Sequence, residues 1–156
     1  LNDYLEFISH QRNEITKNVN LNNLVNDIIK KYEGKNIKLE FDKEIEINIR
    51  SNAIKRCLTN LIDNGLSYGK NVKIILKKTI NNVLILVDDD GPGIDESEYQ
   101  NVMKPFYRID KSRSLNRSGV GLGLSISQDI VKSHGGNIVL SESKNKGLSV
   151  KITLPF

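Results

Sequence analysis

A chain of 156 residues is long enough for one sizeable core with a short appendage, and its 38% apolar and 27% charged residues exclude a disordered or membrane-embedded class. The net charge of +4 arises from lysines and arginines interleaved with acids, so no continuous basic face argues for nucleic acid, whereas phosphate-bearing ligands remain compatible. Cys57 is the single cysteine, which excludes an internal disulfide and a cysteine-based zinc site, and neither a signal-peptide pattern nor a membrane-length apolar run occurs.

Residues 1–15 carry Leu1, Leu5 and Ile8 at helical spacing without an N-terminal cap, and read as the tail of a helix continuing from a longer protein. Asn20 can cap a second helix, whose stripe is Leu21, Leu24, Val25, Ile28, Ile29 and Tyr32, ending at Gly34. Ile37, Leu39 and Phe41 alternate with polar residues, as do Ile45, Ile47 and Ile49, which predicts two half-buried strands. Ser51 is expected to cap a third helix with the apolar face Ala53, Ile54, Cys57, Leu58, Leu61 and Ile62. Asn60 and Asn64 share one side of that helix, one turn apart. Asn is a weak helix former, so the pair is either two exposed or hydrogen-bonded amides or a place where a carbonyl oxygen meets a hard metal ion.

Residues 72–78 and 83–87 predict a strand pair turning at Asn81-Asn82. The second strand stops at Asp88-Asp89-Asp90-Gly91-Pro92-Gly93-Ile94, an apolar run delivering carboxylates to a tight turn. This is either a solvated acidic turn or a site where glycines let a small molecule reach a carboxylate. Residues 95–118 are polar and long for a loop, the signature of a functional lid, with a short helix near 96–103 that Pro105 ends. Gly119-Val120-Gly121-Leu122-Gly123-Leu124 then opens a helix bearing Ile126, Ile130 and Val131. Such glycines are a hinge, or they aim backbone N–H groups at an anion; the spacing is neither the Walker nor the dinucleotide pattern. Gly135-Gly136 stops this helix, and strands over 138–140 and 148–154 close the chain. Helices and strands mix without regular βαβ alternation, which predicts an α+β two-layer sandwich.

Taken in order, NLIDN at 60–64, DDGPGI at 89–94, PFYR at 105–108 and GVGLGL at 119–124 resemble the ATP-binding catalytic domain of sensor histidine kinases. That domain belongs to the superfamily shared with gyrase, the Hsp90 chaperones and the MutL mismatch-repair proteins. FYRIDKSR and the ending GLSVKITLP are similar to the osmosensing EnvZ type. The resemblance covers residues 20–156 and implies a Bergerat-type fold, a mixed and mainly antiparallel sheet packed on helices under a mobile lid. Residues 1–19 would be the end of a dimerisation and phosphotransfer helix plus linker.

The resemblance implies ATP and Mg²⁺ as ligands. Asp89 would accept a hydrogen bond from the adenine amino group, with Gly91, Gly93 and Ile94 beside the ring and Tyr68 against it. Asn64 would bind Mg²⁺, and Asn60 would face the same phosphates, the one candidate for a catalytic role on this chain. Tyr107, Arg108 and Arg113 of the lid would approach the nucleotide, and Gly119, Val120, Gly121, Leu122, Gly123 and Leu124 would wrap its phosphates. Ser67 stands where many relatives carry Lys or Arg, with Lys70 a substitute, and Met103 replaces the first Phe of the lid motif. The family's phosphoacceptor motif is missing: His10 occurs as Ser-His-Gln-Arg and His134 lies at a helix end, so both read as structural or exposed. The resemblance therefore implies a monomeric cytoplasmic domain of a homodimeric kinase in the cell membrane. Its partners would be the phosphotransfer domain and, through the parent protein, a response regulator. A gyrase-like ATPase clamp is the alternative, disfavoured because Asn60 stands where those enzymes carry a basic Glu. A degenerate nucleotide-binding interaction module is the other.

Overall fold

The computed structural model describes residue 5, residues 13–107 and residues 123–156. The expected helix over 1–15 and the segment with Arg108, Arg113, Gly119, Val120, Gly121 and Leu122 lie mainly or wholly outside the described residues. The elements run β1 (Lys17–Asn20), α1 (Leu21–Ile29), β2 (Asn36–Phe41), β3 (Glu46–Ile49), α2 (Ser51–Tyr68), β4 (Asn71–Lys78) and β5 (Asn82–Asp89). A 3₁₀ turn (Glu96–Glu98), α3 (Tyr99–Val102), α4 (Gly123–Ser133), β6 (Asn137–Glu142) and β7 (Leu148–Pro155) follow.

Five strands form one sheet in the order β2-β4-β5-β7-β6. Only β2 and β4 run parallel; the other neighbours are antiparallel, as in the mixed sheet expected. Period-two alternation puts Val72, Ile74 and Leu76 of β4, Val83, Ile85 and Val87 of β5, and Val150, Ile152 and Leu154 of β7 on one buried face. Helix α2 covers β4 and β5, while α4 covers β6 and β7 and packs along α2. Burying a side chain such as Ile62 or Ile130 completely stabilises the fold by about 1.5–3 kcal/mol. The architecture is the predicted α+β two-layer sandwich.

Residues 17–19, placed above in the linker, form a strand together with the capping residue Asn20: β1 pairs antiparallel with β3, with Val19 opposite Ile47. Asn20 does cap α1, its side chain accepting from the Asn23 N–H at 3.0 Å. That helix ends at Ile29, before Tyr32 and Gly34; Lys31 and Tyr32 continue as a tighter turn into Gly34, at φ +76°. The Tyr32 hydroxyl donates to Asp63 Oδ1 at 2.7 Å and ties this turn to α2.

Ser51 does not cap α2. The N-cap is Arg50, which contributes no side-chain hydrogen bond, and Ser51 is already helical. Glu14 supplies the acceptors instead, taking the Asn52 N–H at 2.7 Å on one carboxylate oxygen and the Ala53 N–H at 3.0 Å on the other. A carboxylate there also complements the positive end of the helix dipole.

Candidate functional site

Helix α2 and strand β5 meet at Asp89. Strand alternation turns Asp89 to the helix-covered face, where it is 8% exposed. Its Oδ1 accepts from the Gly91 N–H at 2.9 Å and the Leu148 N–H at 3.1 Å, and among the described residues none reaches Oδ2. Three glycines wall the carboxylate. A Cβ on Gly65 would sit 3.4 Å from Asp89 Cβ, one on Gly91 would sit 3.1 Å from Oδ1, and one on Gly147 would sit 2.4 Å from Oδ1. Ser143 Oγ donates to the Asp89 carbonyl at 2.8 Å and fixes the strand end. Burial pushes the Asp89 carboxyl above the usual range, opposed by the two backbone donors and reinforced by Asp90 and Asp88.

The other acids have different work. Asp90 takes the Lys70 N–H at 2.8 Å, the Asn71 N–H at 2.9 Å and the Asn71 side-chain amide at 2.7 Å. These donors, the Asn71 amide first, pull its carboxyl down to about 2. Asp90 is therefore a clamp on the α2–β4 turn, and the repulsion within the trio is answered by protein groups there. Asp88 falls on the opposite face of the sheet, level with Lys73 and Ser149.

Asn60 and Asn64 are half-buried on α2, and among the described residues neither amide has a hydrogen-bond partner. Among the described residues the hydrogen-bonded reading of the pair therefore finds no support. Asn60 faces the start of α4, since a Cβ on Gly123 would sit 4.0 Å from Asn60 Cβ. Leu124, next on α4, is half-buried against the core. No cluster of three His, Cys, Asp or Glu side chains occurs among the described residues, so no all-protein cation cage is present there. A lone amide oxygen instead suits a cation that keeps most of its ligands from water or phosphate.

Tyr68, at the end of α2, is 53% exposed, and its carbonyl would lie 2.9 Å from a Cβ on Gly91, so it borders the same turn. Gly93 holds φ +74°, and a Cβ there would come within 2.8 Å of the Lys146 carbonyl. Ile94 packs on the core behind it. Tyr107 donates its hydroxyl to Glu98, which together with burial raises its own pKa, so its polar end is already engaged. Ser67 donates to the Asp63 carbonyl at 2.9 Å within its own helix. Gly65, Ser143, Gly147 and Leu148 were not among the predicted site residues. Gly65 alone carried a local signal, a helix-weakening residue one position after Asn64.

A separate groove of about 530 Å³ between α3, α4 and β6 is lined by residues such as Tyr99, Met103, Gln128 and Val139 and contains none of the predicted site residues. His134 is structural. Its Nδ1 lies 2.8 Å from the Ile130 carbonyl and its Nε2 accepts the Arg50 N–H at 3.1 Å, the pattern of a neutral ring, in keeping with a pKa lowered by burial.

Residues 49–156 match the family described as histidine kinase-, DNA gyrase B- and HSP90-like ATPase. The chain is 39% identical over 103 residues to the sensor histidine kinase GtrS of Pseudomonas aeruginosa, covering 66% of this chain and 21% of that protein. It is 39% identical over 113 residues to the signal transduction histidine-protein kinase ArlS of Staphylococcus aureus, covering 70% of this chain and 25% of that protein. The chain thus spans about a fifth to a quarter of these relatives' lengths. Among solved structures, the catalytic domain of histidine kinase ThkA superposes with a TM-score of 0.79 at 26% identity, over 90% of this chain and 97% of that one. The mycobacterial sensor histidine kinase MprB shares the fold, with a TM-score of 0.78 at 20% identity, over 90% of this chain and 97% of that one.

Proposed function

The chain belongs to the histidine kinase-, DNA gyrase B- and HSP90-like ATPases, and on that premise we propose that it binds ATP with Mg²⁺ and presents the γ-phosphoryl to a histidine of a phosphotransfer domain. Onward transfer to a response-regulator aspartate would follow in the parent sensor kinase. The observation that carries the reading is Asp89, a buried carboxylate with one oxygen held by two backbone donors, the other turned to no described partner, and glycines on three sides. A flat heterocycle can approach only where side chains are missing, and an exocyclic amino group is the donor such an oxygen lacks.

In this reading Asp89 fixes the adenine, Gly91, Gly93 and Ile94 form its floor, and Tyr68 offers an aromatic face. Asn64 holds Mg²⁺ through its amide oxygen, where the ion would neutralise phosphate charge. Asn60 faces the phosphates beside Gly123 and Leu124, with Gly119, Val120, Gly121 and Leu122 continuing the wrap. Tyr107, Arg108 and Arg113 belong to the lid, the arginines meeting phosphate oxygens with a guanidinium fork. Lys70 is the cation nearest in sequence to the position where Ser67 lacks one. With no titratable group at position 60, these side chains position and neutralise rather than activate water, which favours transfer to an imidazole nucleophile over hydrolysis.

Among the described residues no helix is long and apolar enough to cross a membrane. We place the domain in the cytoplasm of a parent kinase anchored in the cell membrane, monomeric alone and dimeric through the phosphotransfer domain.

The test is calorimetric titration with a non-hydrolysable ATP analogue, with and without Mg²⁺. Affinity should fall about ten- to hundredfold in Asp89→Asn, and Asn64→Ala should lose the part that Mg²⁺ adds. Radiolabelled ATP should then place acid-labile phosphate on a supplied phosphotransfer domain and none on the chain alone. Absence of binding by the wild type overturns the reading.

A further inference from the structure

Helix α2 is held at its N-terminus by a residue that is remote in sequence. Glu14 uses both carboxylate oxygens on the Asn52 and Ala53 N–H groups, and Glu14 directly precedes the segment leading into β1. The β1–β3 ribbon, with Lys17 opposite Ile49, delivers Glu14 to the point where β3 passes into α2 through Arg50. The same junction receives the far end of α4: the Arg50 N–H bonds His134, and the Arg50 guanidinium bonds Ser133. Helices α2 and α4 run antiparallel from there, Cys57 beside Ser127 and Asn60 beside Gly123. A junction at one end of this helix pair is thereby joined by rigid elements to Asn60 and Asn64, about 10 Å and about 16 Å along α2 from Ala53.

We propose that Glu14 is a positioning residue, fixing α2 against the segment that precedes β1 and so setting where Asn60 and Asn64 stand; this rests on the reading of Asn64 as the Mg²⁺ ligand. Displacement of the preceding segment draws on the first turn of α2 through this carboxylate. The helix transmits the shift because its hydrogen-bonded backbone moves as a rod. The nucleotide site is therefore sensitive to what lies before residue 14, through a contact outside the site itself.

The experiment compares the chain with Glu14→Ala and Glu14→Gln, by calorimetric titration of a non-hydrolysable ATP analogue and by amide hydrogen exchange. In Glu14→Ala the affinity gained on adding Mg²⁺ should fall about threefold to fivefold, the scale of one lost helix cap, with Mg²⁺-free affinity unchanged and Glu14→Gln intermediate. A lower melting temperature with the Mg²⁺-dependent gain intact would overturn the proposal, because a purely structural cap acts that way. If the wild type binds no nucleotide, the functional reading fails and exchange decides this one. Faster exchange reaching Asn60 and Asn64 upholds it, and acceleration confined to the first turn of α2 overturns it. If Glu14→Ala does not fold, the same readouts on Glu14→Gln decide.

Discussion

Gly147 and Asp89 approach so closely that a methyl group on the glycine would lie 2.1 Å from the aspartate carbonyl oxygen and 2.4 Å from its carboxylate. Both atoms are fixed, one by the Ser143 hydroxyl and the other by the Gly91 and Leu148 N–H groups, so neither can give way cheaply. Gly147→Ala should destabilise the domain by about 1–3 kcal/mol, the range for overpacking. It should also weaken nucleotide binding by displacing the carboxylate. Urea denaturation and calorimetric titration of the variant check the two effects separately.

At Asp89, stability and binding are expected to move in opposite directions. Its folded-state pKa lies above the ordinary 3.8, burial being the largest cause, so its ionisation at neutral pH opposes folding. The corresponding stability is present below the unfolded value and is lost as pH rises through the folded one. Asp89→Asn keeps an oxygen for the Gly91 and Leu148 donors and removes the buried charge. The variant should melt at or above the wild-type temperature at neutral pH while nucleotide affinity falls about ten- to hundredfold, the scale of a hydrogen bond to a charged group. Differential scanning calorimetry with and without the ATP analogue reads both.

Asp90 has the opposite sign. Its folded pKa is held near 2 by the Asn71 amide and the Asn71 and Lys70 backbone donors, below the ordinary 3.8. The stability it supplies is present above the unfolded value and is lost as pH falls through the folded one. Wild-type unfolding free energy should therefore drop between about pH 4 and pH 2, and Asp90→Asn should flatten that drop. An unchanged slope in denaturant titrations across the window would show that the clamp is not formed in solution.

What the sequence revealed and what it withheld divide by range of contact. Alternation in β4 and β5 and the stripe of α2 were legible because each residue's burial follows from its own period. The Asp89 turn and the Asn60–Asn64 pair were legible as candidates because glycine, acid and amide at those spacings are locally unfavourable without a use. The far wall of the Asp89 site was not, since Gly147, with Ser143 and Leu148, arrives from the β6–β7 connection and the start of β7. The Lys17–Asn20 strand exists only through pairing with β3. The cap of α2 was misassigned to Ser51 because a local rule cannot see a carboxylate arriving from 38 and 39 residues away.

Cys57 offers a reporter that needs no label on the site. It is fully buried on α2, its thiol is pushed up to about 12 by burial, and its Sγ faces the Ser127 carbonyl at 3.9 Å. Ser127 Oγ returns a bond to the Cys57 carbonyl at 3.3 Å, locking α2 to α4 at this level. The thiolate needed for alkylation is therefore disfavoured in the folded state, and with the thiol fully buried modification must wait for the two helices to part. A ligand that binds only the closed protein lowers the open population by the factor one plus its concentration over Kd. At about one hundred times Kd the alkylation rate should fall about a hundredfold when opening is in rapid pre-equilibrium. Iodoacetamide labelling followed by mass spectrometry, with and without the ATP analogue, measures this directly. A rate unaffected by nucleotide in a chain that binds it would mean that Cys57 is exposed by an opening that leaves the Asp89 site intact. The α2–α4 contact would then be uncoupled from the nucleotide.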